Sequence, residues 1–186
     1  MFERKHFLAM SLLAVAGMIV ILLWMGRSPI CICGYVLLWS PDVMSSDNSQ
    51  HIADWYTPSH IAHGFLFFGF FWLIGRSWAW ELRLFLSVLI EAAWEIAENT
   101  NAVIERYREA TIALDYYGDS VLNSFADLGF MVVGFWLAAR LGLKWSIAVV
   151  LAMELAAAWV IRDNLTLNVI MLIHPLESIK AWQLAG

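Results

Sequence analysis

The chain has 186 residues, 61% of them hydrophobic, and a mean hydropathy of +0.69. That is too apolar for a soluble domain, and the apolar residues fall in runs of helix-spanning length, which predicts one integral membrane domain over residues 1–186. The net charge of −5 comes mostly from carboxylates in one loop system and in the apolar segments themselves, and the absence of a basic patch or a nucleic-acid motif argues against a nucleic-acid partner.

In chain order, the first apolar segment, Phe7–Met25, follows Arg4 and Lys5. Its core exceeds the roughly 7–15 residues of a secretory signal and no small-x-small cleavage site follows, so it reads as an uncleaved anchor. Cys31 and Cys33 lie beyond it, too close in sequence for an easy mutual disulfide, and read as ordinary interface thiols; a lone C-x-C is weak evidence for metal. Four further segments, Ser59–Gly75, Trp80–Glu98, Gly118–Ala139 and Leu143–Ile161, can each cross roughly 30 Å of hydrocarbon at about 1.5 Å per residue. The expectation is an all-α polytopic bundle of five spans. The tail from Asn164 has a short apolar run before His174-Pro175, and reads as an interfacial or re-entrant segment or a short sixth helix.

Arg4, Lys5, Arg76, Arg83, Arg140 and Lys144 then gather in short segments on one side, which makes that side cytoplasmic and places the N-terminus inside. Longer loops, Arg27–Thr57 and Asn99–Tyr117, face outward. The first ends in Trp55-Tyr-Thr-Pro58, where Pro58 suits the first turn of the next helix, Thr57 its N-cap, and Trp55 and Tyr56 an aromatic belt at the membrane interface. The second mixes charged and apolar residues and reads as holding a short amphipathic helix.

The most informative residues are acids inside apolar segments. Glu91, Glu95 and Glu98, at i, i+4 and i+7, share one helical face. A charge in hydrocarbon costs at least a few kcal/mol, so such residues face a bundle interior and mark a site. Asp119, Asn123 and Asp127 repeat the pattern at i, i+4 and i+8, and His60 and His63 stand in the first turns of the second span. With Arg162 and Asp163 closing the fifth span, the polar groups gather in the outward half of the bundle, which predicts one crevice open to that side. Each group also has a plainer role. The histidines could be hydrogen-bonding interface residues, the glutamates a structural network with Arg162, Asp119 a complement to a helix dipole, Asn123 a tie between helices, and Glu154 and His174 structural or interfacial residues.

Imidazoles with carboxylates suit a divalent metal such as zinc, iron or manganese, with His60, His63, Glu95 and Glu98 as candidate ligands. Metal is suggested by residue type alone, because neither H-E-x-x-H nor paired E-x-x-H spacing occurs. Without metal, Glu91, Glu95, Asp119 and Asp127 are candidates for acid, base or dyad chemistry, and His60, Asn123 and Arg162 for substrate contact.

The stretches Ser45-Ser-Asp-Asn-Ser-Gln-His-Ile-Ala-Asp-Trp-Tyr-Thr-Pro-Ser-His-Ile-Ala-His-Gly64, Ile90-Glu-Ala-Ala-Trp-Glu-Ile-Ala-Glu-Asn99, Asp115-Tyr-Tyr-Gly-Asp-Ser-Val-Leu-Asn123 and Arg162-Asp-Asn-Leu-Thr-Leu-Asn168 resemble a family of uncharacterised proteobacterial inner-membrane proteins, a domain of unknown function, over nearly the whole chain. More loosely, Ser59 to Phe135 resembles the VanZ-type membrane proteins linked to glycopeptide tolerance, although Phe125-Ala-Asp-Leu departs from that pattern. The resemblance implies an envelope role and supplies no reaction. Three functions remain open: an enzyme acting on a lipid-linked or envelope substrate at the outer face, a non-catalytic subunit or assembly factor of a membrane complex, and an ion or small-molecule binding or transport protein.

Overall fold

The apolar runs fold as helices, and proline, glycine and polar caps divide them. The structure, a computed structural model, describes residues 4–111 and 115–185. Among the described residues there are seven helices and no strand: α1 Arg4–Trp24, α2 Thr57–Ile74, α3 Trp80–Glu98, α4 Asn101–Ala110, α5 Val121–Ile161, α6 Leu165–Ile173 and α7 Glu177–Leu184. The long α5 consists of two limbs joined at Gly142, whose φ of 72° is non-helical and suits a residue without a Cβ. Two helices, α1 and α5, are long and apolar enough to cross a membrane, so five spans are not established by that measure. The helices α2 and α3 match the expected segments in position but carry the histidines and glutamates, which lower their apolarity.

Buried side chains of α1, α3 and α5, among them Met18, Leu22, Val88, Leu128, Met131 and Phe135, form an apolar core. The helices α2 and α5 cross with backbones touching. A Cβ at Gly64 would overlap the Met131 carbonyl oxygen and the Phe135 nitrogen, and one at Gly134 would overlap the Ile61 carbonyl oxygen. Beyond this core the polarity is inverted relative to a water-soluble protein. Leu12, Leu143, Leu155 and Trp159 are 70–88% exposed, whereas Glu91, Glu95, Asn99, Ser120 and Ser124 are wholly buried.

The segment between α1 and α2 folds back over the N-terminus of α5, where backbone N–H groups lack helical partners. Val121 and Leu122 donate to the Ser28 and Pro29 carbonyls, Ser120 donates through its backbone to Ser49, and the Asn123 side-chain amide donates to the His51 carbonyl at 2.9 Å. Gln50 and His51 are consequently buried rather than spread in solvent as the loop composition suggests. Within this segment Cys31 and Cys33 form a disulfide, contrary to the expectation of two free thiols. A turn closed by the Gly34 N–H on the Cys31 carbonyl brings their Cα atoms to 5.1 Å.

Local capping differs in detail from the expected pattern. Thr57 is the first residue of α2 and not its cap; its hydroxyl accepts from the Asp54 N–H, while Asp54 itself accepts from the Ser49 and Tyr56 N–H groups. Pro58 does occupy the first turn. The amphipathic helix expected in the second loop is α4, capped by the Thr100 hydroxyl. Glu154 is a structural hydrogen-bonder: its carboxylate accepts the Leu165 and Thr166 N–H groups at 3.0 Å each, capping α6 together with Asn164.

Candidate functional site

Three helices direct polar stripes at one another. From α2, His60 and His63 point towards α3, where the Glu91 carboxylate receives both rings: His60 Nδ1 at 2.8 Å from Oε1, and His63 Nδ1 at 3.1 and 3.0 Å from Oε1 and Oε2. A carboxylate accepts only, so each Nδ1 carries the proton in these bonds, which leaves Nε2 of a neutral ring as the basic nitrogen. His60 also stands 3.5 Å from Glu95 Oε1 and, through Nε2, 3.8 Å from Asp127 Oδ2 on α5.

The upper part of the site is built around Asp119, just before α5. It accepts from the Asn99 amide at 2.8 Å and the Tyr116 hydroxyl at 2.9 Å, and its own N–H donates to Asn99 Oδ1 at 2.8 Å. Tyr107 on α4 stands close enough to Glu98 for the carboxylate to act on its phenol. Burial holds the Tyr107 and Tyr116 phenols well above their ordinary value of 10, and the Glu98 and Asp119 carboxylates respectively push them further, so both phenols stay neutral. Neither Glu95 oxygen has a hydrogen-bond partner among the described residues, and neither does Asp127 Oδ1, although both side chains are buried.

These groups border a cavity of about 310 Å³ whose lining includes His60, His63, Glu91, Glu98, Asp119 and Asp127. The lining also includes apolar side chains, Phe67, Ile90 and Trp94 with Leu165, Val169 and Leu172 of α6, beside the polar Asn168. The structure thus brings together His60, His63, Glu91, Glu98, Asp119 and Asp127, with Glu95 wholly buried against His60 beside the cavity lining, while Glu154, Asp163 and His174 lie outside that lining. Asn123 lines the cavity too, but its amide nitrogen is committed to the His51 carbonyl.

Arg162 does not join them. It closes α5 with φ 54°, donates to the Trp182 carbonyl at 2.8 Å and stacks over the Trp182 ring, because that left-handed turn carries its side chain towards α7. Its expected roles in substrate contact and in a glutamate network are therefore corrected. Tyr56, expected in an interfacial belt, instead lines the cavity and donates to Asp163 Oδ2 at 3.1 Å. Asp163 also accepts from Asn164, Asn168 and Gln183, and burial lifts its carboxyl to about 6 in spite of the Asn164 N–H and the Tyr56 hydroxyl.

Sequence reasoning missed Asn99, Tyr56, Tyr107 and Tyr116. A signal for Asn99 was present: Glu91, Glu95 and Asn99 form an unbroken i, i+4, i+8 stripe, and all three are fully buried, whereas Glu98 lies to one side and is partly exposed. The tyrosines arrive from α4 and the loops, whose placement no periodicity encodes.

Among the described residues three groups could hold a cation, their candidate ligand atoms lying within 4.8 Å of one another: His60, His63 and Glu91; His60, Glu95 and Asp127; and Glu95, Glu98 and Asp119. Cys31, Cys33 and His51 are also close, but both sulfurs are spent in the disulfide.

Fold and site together define an all-helical protein with an apolar exterior and a histidine–carboxylate cavity inside. The chain belongs to the family described as "Protein of unknown function (DUF2585)", which it matches over residues 22–185. It is 56% identical over 164 residues to a UPF0314 protein of Paracoccus denitrificans, covering 88% of this chain and 85% of the relative. A UPF0314 protein of Sinorhizobium fredii is 59% identical over 159 residues, covering 86% and 81%, and one of Rhizobium meliloti is 52% identical over 185 residues, covering 97% and 94%. The looser VanZ-type likeness receives no support from these matches. No solved structure matches the chain.

Proposed function

We propose that this chain is an inner-membrane enzyme of five spans with a short helical C-terminal segment, the N-terminal end of α1 cytoplasmic, that acts on a lipid-linked or envelope substrate from the outer side of the membrane. The observation that carries the reading is the composition of the cavity. The lining combines two imidazoles held by Glu91 with apolar side chains, among them Phe67, Ile90, Trp94, Val169 and Leu172, a pairing suited to a polar reacting group on an apolar carrier. The inverted polarity of the surface supports the membrane setting, since apolar patches of this extent are covered in a functioning protein.

In this reading Glu91 fixes the tautomer of His60 and His63 and stabilises an imidazolium when either ring takes a proton, as a general base requires. Asp127 lies beside the free Nε2 of His60 and can receive or return that proton. A non-catalytic subunit would use the same groups as packing hydrogen bonds, and the two unbonded oxygens of Glu95 weigh against it. A packing network leaves no such group unpaired without a cost of a few kcal/mol.

The test compares the lipid and envelope extracts of a strain lacking the protein, the strain restored with wild type, and the strain restored with Glu91→Gln at equal membrane abundance. The expected result is an amphiphile that accumulates in the deletion, disappears with wild type and persists with Glu91→Gln. Full restoration by Glu91→Gln ends the catalytic reading and favours the subunit.

A further inference from the structure

Glu95 belongs to two of the candidate cation groups at once, one completed by His60 and Asp127, the other by Glu98 and Asp119. We propose that the cavity holds two divalent metal ions bridged by the Glu95 carboxylate, one on His60 and Asp127 and the other on Glu98 and Asp119. This deepens the reading of the cavity as a reaction site and supplies it with a cofactor; with His60 and Asp127 on an ion, the general base of that reading is His63, which Glu91 also holds.

The second, independent observation is the state of Glu95 itself. It is wholly buried, and among the described residues neither oxygen has a hydrogen-bond partner. A proton shared with a neighbouring acid would show as an O–H···O contact of about 2.5–2.7 Å. Glu95 makes no such contact; its nearest recorded neighbour, His60 Nδ1, is 3.5 Å away and already bonded to Glu91. Asp127 Oδ1 is likewise buried and unbonded.

Charge leads to the same conclusion. Glu91, Glu95, Glu98, Asp119 and Asp127 crowd the site, and among the described residues no lysine or arginine lines the cavity. Two divalent cations would offset most of that charge.

The geometry fits as well. Two ligand atoms each about 2.1 Å from one ion stand between roughly 3 and 4.2 Å apart, which small side-chain movements reach from a spread of 4.8 Å or less. His60 Nε2 and Asp127 Oδ2 are already 3.8 Å apart. The Nδ1–H of His60 donates to Glu91, the outer bond that orients a metal-bound imidazole. The remaining Asp119 bonds, from Asn99 and Tyr116, hold a ligating carboxylate in the same way. One nitrogen among carboxylate oxygens suits manganese, iron or zinc in the divalent state.

The experiment uses full-length protein purified in detergent, stripped with a chelator, reloaded with Mn²⁺ or Zn²⁺, desalted and assayed by elemental analysis and titration calorimetry, with a melting curve for each variant. Wild type should retain about two ions per chain, the count of a bridged pair. Asp127→Asn and Glu98→Gln should each retain about one, and Glu95→Gln, which removes the bridge, fewer than either. Arg162→Gln, outside the cavity, should retain the wild-type number. A folded wild type that binds no ion, or a folded Glu95→Gln that keeps the wild-type number, overturns the proposal. One ion in wild type, unaffected by Glu98→Gln, overturns the bridged pair. Metal bound as expected in a protein whose loss changes no amphiphile would leave the metal site standing and remove only the enzymatic reading.

Discussion

Gly64 on α2 lies directly against the backbone of α5 at Met131 and Phe135, and Gly134 on α5 lies against Ile61 of α2. This reciprocal contact holds the two helices at backbone distance, and one turn above it His60 meets Asp127. Gly64→Ala or Gly134→Ala must push the helices apart, because the obstructing atoms are backbone. Each is expected to cost about 1–3 kcal/mol, as overpacking does, and to lower the melting temperature in detergent. Gly129→Ala, on the same helix with open space around it, should leave the melting temperature nearly unchanged.

The orientation proposed here predicts which positions an impermeant thiol reagent reaches in intact cells. Single cysteines replacing exposed Met44 and Arg108, in a background with Cys31 and Cys33 changed to serine, should be labelled, and those replacing exposed Arg76 and Lys144 should not. The reverse pattern would invert the topology and place the cavity towards the cytoplasm.

Asp163 supplies a pH dependence of known sign. Its carboxyl is lifted to about 6 by burial, so the folded state holds its proton more tightly than the unfolded chain, whose value is near 3.8. The resulting stabilisation is fully present below the unfolded value and is lost as pH rises through about 6. Between pH 4 and 7 wild type should therefore lose on the order of 2–3 kcal/mol relative to Asp163→Asn, at roughly 1.4 kcal/mol per pH unit of separation. Melting temperatures of the two proteins across that range measure the difference, and parallel curves would contradict it.

Glu154 should prove structural. Removing its carboxylate in Glu154→Ala strips the N–H groups of Leu165 and Thr166 of their charged acceptor, at a cost of about 1–3 kcal/mol. Hydrogen exchange at residues 165–167 should quicken while the metal content of the cavity is unchanged. Lost metal without faster exchange would assign Glu154 to the site instead.

Helical periodicity is local, and what depends on it was legible in the chain. The apolar segments, the faces bearing Glu91 and Glu95 or Asp119, Asn123 and Asp127, and the short helix α4 all follow from residue types repeating at three or four positions. The need for those faces to meet was also legible, because buried polar groups without partners are costly. Packing decided the rest. Periodicity gives Glu98 and Asn99 similar claims to the α3 stripe, and the fully buried place goes to Asn99, which exchanges hydrogen bonds with Asp119. Arg162 is lost to the cavity through a single left-handed residue; Tyr56 and Tyr116 enter it from segments with no repeat to read, and Tyr107 from α4, whose placement against the site no periodicity encodes. The Cys31–Cys33 pair likewise depends on a turn, and a turn depends on backbone angles that residue spacing does not specify.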